Sequence, residues 1–429
     1  MASTHLTRSI TSTNTSWTLS VWVKRGTITS TQYMMSWGGS GTENGIGFSS
    51  SDKFQYYSAA TGSNPSSSAL YRDTNGFYHF VVRNNAGTIT IYVNGEAITM
   101  TGGTSGSALN SSTMRIGDWT SGQYHFDGIM SHLHFIDGTA YAASTFGSTD
   151  AATGEWKINT NPTVTYGSDG FFILKDGNSV TDASPNTNNF TVAGGTLTKT
   201  EDNPSNVFAT MNFLNVPTSN LPTFSNGNTT TVSSTNGSGR FGGSSTLGMV
   251  SGKFYIEAKA TVDSQYSRNV IGISGDANTL ARNNASFFGS DQESSGWYSE
   301  NGVINYNNSA QYTAATYTTG DIIQIAIDLD NNRLFYGKNG TWQNSGNPTT
   351  STGAITLNGA SACNDGAYFI CQADDTGTSA VSKFEFNFGN GYFGTTAVSS
   401  AGTNASNNGI FEYDVPSGYT ALSTKGLNL

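Results

Sequence analysis

The chain has 429 residues, of which 19 are Lys or Arg and 29 are Asp or Glu, so only 11% carry a formal charge, where about 25% is usual. Gly fills 51 positions, aromatics make up 12% and the net charge is −10; helix-rich and coiled-coil proteins are excluded, and nucleic acid is denied the basic surface it needs. The 24 Phe, 20 Tyr and 7 Trp still supply enough buriable surface for packed domains, two or three at this length.

Apolar residues alternate with period two from end to end, which predicts a nearly all-β fold. The opening, MASTHLTRSITSTNTSW, has no apolar core to act as a signal. No run approaches the ~18 apolar residues of a spanning helix, so a protein made in a cytoplasm without membrane insertion is expected. In WTLSVWV, Trp17, Leu19, Val21 and Val23 share one face and Thr18, Ser20 and Trp22 the other, the pattern of a half-buried strand. FYHFVVRNNAGTITIYVNGEAITM reads as three strands, Phe77 to Arg83, Thr88 to Val93 and Glu96 to Met100. The last two are joined at Asn94-Gly95, a strong hairpin signal because both central residues of a type I′ turn need positive φ.

From about Asp176 to Val250 the chain carries Pro185, Pro204, Pro217 and Pro222 amid Asn, Thr, Ser and Gly, as a connector and an irregular domain opening would. GDIIQIAIDLDNNRLFYGKNGTW then repeats the earlier pattern, with Ile323, Ile325, Ile327 and Leu329 on one face and turns at Asn331-Asn332 and Asn339-Gly340. The expected fold is all-β, with two antiparallel jelly-roll-type β-sandwich domains in tandem, residues 1–175 and 207–429, joined by an irregular connector at 176–206.

Glycoside hydrolysis needs two carboxylates roughly 5–9 Å apart. No Glu-x-Asp-x-x-Glu or Glu-x-Asp-x-Glu run occurs, and the nearest pair, Asp328 and Asp330, leads into a turn where carboxylates are ordinarily solvated. No Gly-x-Ser-x-Gly elbow is present. His132 and His134 could offer two metal ligands but no third is placed beside them, and a solvated strand face is the simpler reading. Cys363 and Cys371 read as buried or idle thiols. No catalytic residue, metal or cofactor is therefore expected.

What remains is recognition. An aromatic ring offers an apolar face to a sugar's C–H face, with Asn, Ser and Thr nearby for its hydroxyls. Trp119 and Tyr124 in DWTSGQYHF fit that description, as do Trp297, Tyr298 and Tyr306 in SGWYSENGVINY. The competing reading places these rings in a core or a subunit interface.

The segments WTLSVWVKRG, GFYHFVVR, TITIYVNGEAI, MRIGDW and FDGIMSHLHFIDG resemble the laminin-G-like, concanavalin-A-like sandwich of phage virion proteins. FGSTDAATGEWKI and DNPSNVFATMN are similar to the connector of the same proteins. SGKFYIEAKATV, VIGIS, YSENGVINYNN, FNFGNGYF and VPSGYTALST, with the Gly320–Trp342 run, are similar to a SPRY domain.

This resemblance implies a non-enzymatic virion surface protein of a marine phage, a capsid decoration or fibre-like component that adheres to host-surface glycans. Other virion proteins would be its partners, and it would form a homo-oligomer, with a trimer favoured. A purely structural cement or capping protein without a ligand is the alternative, and a polysaccharide depolymerase the third. Sandwiches of this kind often hold a calcium ion near the rim, which Asp118 or Asp127 could serve, but two scattered carboxylates do not make its six to eight oxygens. The first strand, HLTRSI, looks shortened against the family pattern, leaving an edge for a partner to complete.

Overall fold

The computed structural model describes residues 4–175, 179–216, 221–233, 241–263, 269–277, 289, 293–374 and 382–428. They are all-β, with short 3-10 turns such as Ala143–Thr145 as the helical elements, and they divide into two compact units, Met1–Ser205 and Asn206–Leu429. No helix among them is long and apolar enough to cross a membrane.

The first unit packs an eight-stranded sheet on a six-stranded one. In the six-stranded sheet the central strand Trp17–Arg25 lies between Tyr78–Asn85 and Gly128–Asp137. Its alternation puts Trp17, Leu19, Val21 and Val23 into the core between the sheets, with Met35, Trp37, Ile46, Phe48 and Phe80. The expectation of a half-buried strand is corrected, because every residue from Trp17 to Arg25 is buried. The outer face is covered by the segment after residue 138, where Thr18 Oγ1 donates to the Thr139 carbonyl (2.9 Å) and accepts from the Tyr141 N–H (2.8 Å).

On that covered face His79 stacks on Trp22 (4.7 Å between ring centres) and lies 6.0 Å from Trp156. Trp156 Nε1–H donates to its Nδ1, so the ring proton sits on Nε2 and donates to Ser20 Oγ. Burial pushes this imidazole down to about 3. His134, expected on a solvated face, is buried too, stacked on Phe172 at 3.8 Å and bonded to the Tyr166 hydroxyl.

Two further expectations change. Residues 179–205 belong to the first unit rather than to a free connector. Phe190 enters the core, and a buried Lys24–Asp202 ion pair (2.8 Å) ties the segment to the central strand. The strand His5–Ile10 is not an open edge either: it pairs with Ser112–Ile116 on one side and with Thr191–Gly194 on the other, so the fold supplies the missing neighbour itself.

The second unit packs a nine-stranded sheet on a six-stranded one. Ile323, Ile325, Ile327 and Leu329 all lie in its core. Among the described residues its strands pair antiparallel apart from a short parallel contact of Thr420–Ala421 with Lys253–Asp263 and an isolated parallel bridge between Asn390 and Ile410. The Asn-Gly hairpins form as expected, with φ of +48° and +87° at Asn94-Gly95 and +49° and +83° at Asn339-Gly340. Each Asn side chain also accepts from a neighbouring strand, Asn94 from His79 N–H and Asn339 from Ile322 N–H, both at 2.8 Å.

Candidate functional site, an aromatic patch on the first unit

The patch begins with three adjacent strands of the eight-stranded sheet, Gln32–Trp37, Asn44–Phe48 and Phe54–Ser58. Cross-strand register sets Ser36, Gly45 and Tyr57 in one row and Tyr33, Gly47 and Gln55 in the next. Ile46 and Tyr56 point the other way into the core, so the outer face carries Tyr33 and Tyr57 with bare backbone at both glycines. That bareness is used. A Cβ on Gly45 would stand 2.4 Å from the Trp119 ring and 2.6 Å from that of Tyr33, so Trp119 lies directly on the sheet over a position that tolerates no side chain.

Trp119 comes from the loop between Ser112–Ile116 and Gly128–Asp137, and this loop is stitched to the sheet along its length. Gly117 N–H donates to Met34 O (2.8 Å), Tyr33 N–H to Tyr124 O (3.0 Å) and Phe126 N–H to Gly117 O (2.8 Å), while Trp119 N–H closes on Gln123 O (2.9 Å). The buried Asp118 accepts both Arg115 Nε (2.7 Å) and Arg115 Nη2, and its carbonyl accepts Ser36 Oγ (2.8 Å). Such pinning holds a loop side chain still without spending it on the core.

Ring centres lie 4.5 Å apart for Trp119 and Tyr33, 5.4 Å for Trp119 and Tyr57, and 6.2 Å for Tyr33 and Tyr124. Tyr124 is 50% exposed, Trp119 and Tyr57 are half-buried, and Tyr33, beneath them, is buried, its phenol pushed up to about 12 by desolvation. Gln55 Nε2 donates to the Tyr33 hydroxyl (3.3 Å), and the loop that carries Trp119 and Tyr124 also carries Thr120, Ser121 and Gln123. The arrangement can stack the apolar face of a ring-shaped polar ligand and bond its hydroxyls; it contains no paired carboxylates.

Of the five rings singled out in sequence, only Trp119 and Tyr124 belong to this surface. Trp297, Tyr298 and Tyr306 are corrected as platform candidates, because all three are buried. Trp297 is wedged edge-on between Tyr317 and Tyr336 with Nε1–H donating to Ala315 O. Tyr298 packs with Val270 and Cys371, and the Tyr306 hydroxyl donates to Glu293. Sequence reading missed Tyr33 and Tyr57, whose only signal is alternation in YMMSW and FQYYS, the strands on either side of the glycines in NGIGF.

The carboxylates considered for chemistry are spent on structure. Asp328 is buried rather than solvated. Burial works against its charge, but Lys253 at 2.8 Å and two donors of Asn331 hold its carboxyl below the ordinary value. Asp330 accepts the Gly252 N–H. Asp127 is lifted by burial. Cys363 and Cys371 are buried free thiols, and burial raises both.

Residues 2–144 match the family described as the concanavalin A-like lectin/glucanases superfamily, and residues 253–353 match the SPRY domain. The chain therefore carries the two in tandem, one in each unit. Among solved structures, the SPRY domain of human HERC1 is 14% identical, covering 41% of this chain and 96% of that one with a TM-score of 0.32. A heptameric SAP-like pentraxin from Limulus polyphemus is 16% identical, covering 41% and 86% with a TM-score of 0.28. A Bacteroides ovatus protein provisionally assigned as carbohydrate-binding is 17% identical, covering 46% and 60% with a TM-score of 0.30. No curated protein matches the chain.

Proposed function

We propose that this tandem of a concanavalin A-like lectin domain and a SPRY domain is a non-enzymatic binding protein that holds host-surface glycans on the aromatic patch of its first unit. The observation that carries the reading is the Trp119 ring laid over Gly45 among Tyr33, Tyr57 and Tyr124, on a loop fastened by Asp118. Binding domains in both units and carboxylates spent on structural partners support a binding role over hydrolysis. In the same proposal the protein is displayed on a phage particle, as capsid decoration or a fibre-like component, assembled as a homo-oligomer with a trimer favoured and attached to other virion proteins.

The test is adsorption of the purified chain to host cells and to immobilised glycans. Retention that falls at least tenfold with Trp119→Ala and Tyr124→Ala, without loss of fold, is the expected result. Retention unchanged by both substitutions refutes the patch. Antibody labelling of purified particles tests the display: label on virions is expected, and its absence sinks the virion part of the proposal. Label on virions without glycan retention would leave a structural cement.

A further inference from the structure

Asp118 does more than fasten the aromatic loop. Its Oδ2 lies 3.5 Å from His5 Nδ1 and 3.9 Å from His125 Nδ1, and these three donor atoms all lie within 4.8 Å of one another. His125 Nδ1 is buried yet makes no hydrogen bond. The two imidazole ring centres lie 6.4 Å apart with an interplanar angle of 25°.

We infer that His5, His125 and Asp118 bind a divalent transition-metal ion of the zinc class at the root of the aromatic loop. Two neutral imidazoles and one carboxylate are the donor set of a three-ligand zinc site with an open fourth position. Bonds of about 2.0–2.2 Å place tetrahedral donors about 3.3 Å apart, so the His5–Asp118 spacing already fits and the other pairs close by small ring movements. Calcium and magnesium are disfavoured, because both prefer oxygen donors and this set supplies two nitrogens.

Arg115 holds both oxygens of Asp118. Outer hydrogen bonds of this kind orient metal-bound carboxylates, and Oδ2 keeps a second lone pair for the ion. The guanidinium also repels a dication, which sets the expected affinity in the micromolar range and not in that of a closed structural zinc site. Access exists: the His5 and His125 side chains are 15% and 22% exposed. His5 also lines a cavity of about 550 Å³ with Phe126, Met130, Leu197 and Lys199. Occupancy would hold the first strand to the aromatic loop through the ion, and the inference does not depend on what the patch binds.

The experiment is titration of the chelator-stripped full chain with Zn²⁺ by calorimetry, without sugar present, and of the same chain with Co²⁺ followed by visible absorption. One zinc ion per chain, weakened at least tenfold by His5→Ala or His125→Ala and unchanged by His132→Ala, is the expected result. Co²⁺ should give the intense d–d bands of a low-coordinate nitrogen and oxygen site. No saturable binding, zinc affinity indifferent to both His5→Ala and His125→Ala, or a weak octahedral cobalt spectrum from the unmutated chain overturns the inference. The last readout needs no variant to fold.

Discussion

Substituting Gly45 by Ala probes the aromatic patch without touching any ring. The added methyl would sit 2.4 Å from Trp119 Cζ3 and 2.6 Å from the Tyr33 ring, about an ångström or more closer than carbon atoms rest, at about 3.5–4.0 Å. Tyr33 is buried and stitched to Tyr124 by its backbone, whereas Trp119 is half-exposed and has solvent to move into. Trp119 is therefore the ring that is displaced, and it loses its contacts with Tyr33 and Tyr57. At about 0.5–1.5 kcal/mol per aromatic pair that is a loss of about 1–3 kcal/mol, in line with overpacking costs of about 1–3 kcal/mol. For a unit of this size the expectation is a fall in melting temperature of about 2–4 °C per kcal/mol. Glycan retention should fall as far as in Trp119→Ala. Gly39→Ala is the control, because a Cβ there meets nothing within 4 Å. The assay is a calorimetric melt paired with adsorption to immobilised glycan. A Gly45→Ala chain that melts and binds like the unmutated one, or a Gly39→Ala chain equally impaired, refutes the reasoning.

Trp297→Ala should destabilise the second unit by about 3–5 kcal/mol, since the ring is fully buried, while leaving glycan retention by the folded fraction unchanged; denaturant melts against adsorption separate the two. Asp202→Ala breaks the Lys24–Asp202 ion pair at a site where both residues are buried and should cost the first unit about 3–5 kcal/mol, read by chemical denaturation. Glu257 is pushed up to about 7 by burial, against the pull of the Glu412 and Tyr413 N–H groups, the Tyr255 hydroxyl and the Asn387 amide. The native state thus binds a proton between about pH 4.5 and pH 7 that the unfolded chain has released. Its stabilisation is fully present below about 4.5 and is lost as the pH rises to about 7, a change on the order of 3 kcal/mol at 1.36 kcal/mol per unit. Denaturation of the second unit at pH 5 and pH 8 should show that fall, and Glu257→Gln should flatten it; an unchanged slope in the variant assigns the effect elsewhere.

What the sequence discloses here is what neighbours along the chain decide. Asn94-Gly95 and Asn339-Gly340 are legible because turn geometry is a property of two residues. The alternation of Trp17 to Val23 correctly names the inward face, but the cover over Thr18, Ser20 and Trp22 comes from an irregular stretch with no period to read. Trp119 and Trp297 look alike locally, each amid Ser, Gly and Tyr. They differ because Trp119 sits in a loop lying on bare glycine backbone, whereas Trp297 sits in a strand facing the opposite sheet, and only non-local pairing decides which. His5, Asp118 and His125 meet for the same reason, through the pairing of His5–Ile10 with Ser112–Ile116.

The closure of the first sheet by Thr191–Gly194 also sets an order in time. Ser112–Ile116 emerges from the ribosome long before Thr191, so His5–Ile10 can gain its inner neighbour early and must then wait for its outer one, on the order of ten seconds at ~5–20 residues per second. During that interval a bare strand edge is open to any passing chain, most dangerously a sibling on the same messenger. The last strand of the first unit therefore ends a period of exposure in synthesis, and a translation pause placed before it would lengthen the vulnerable phase.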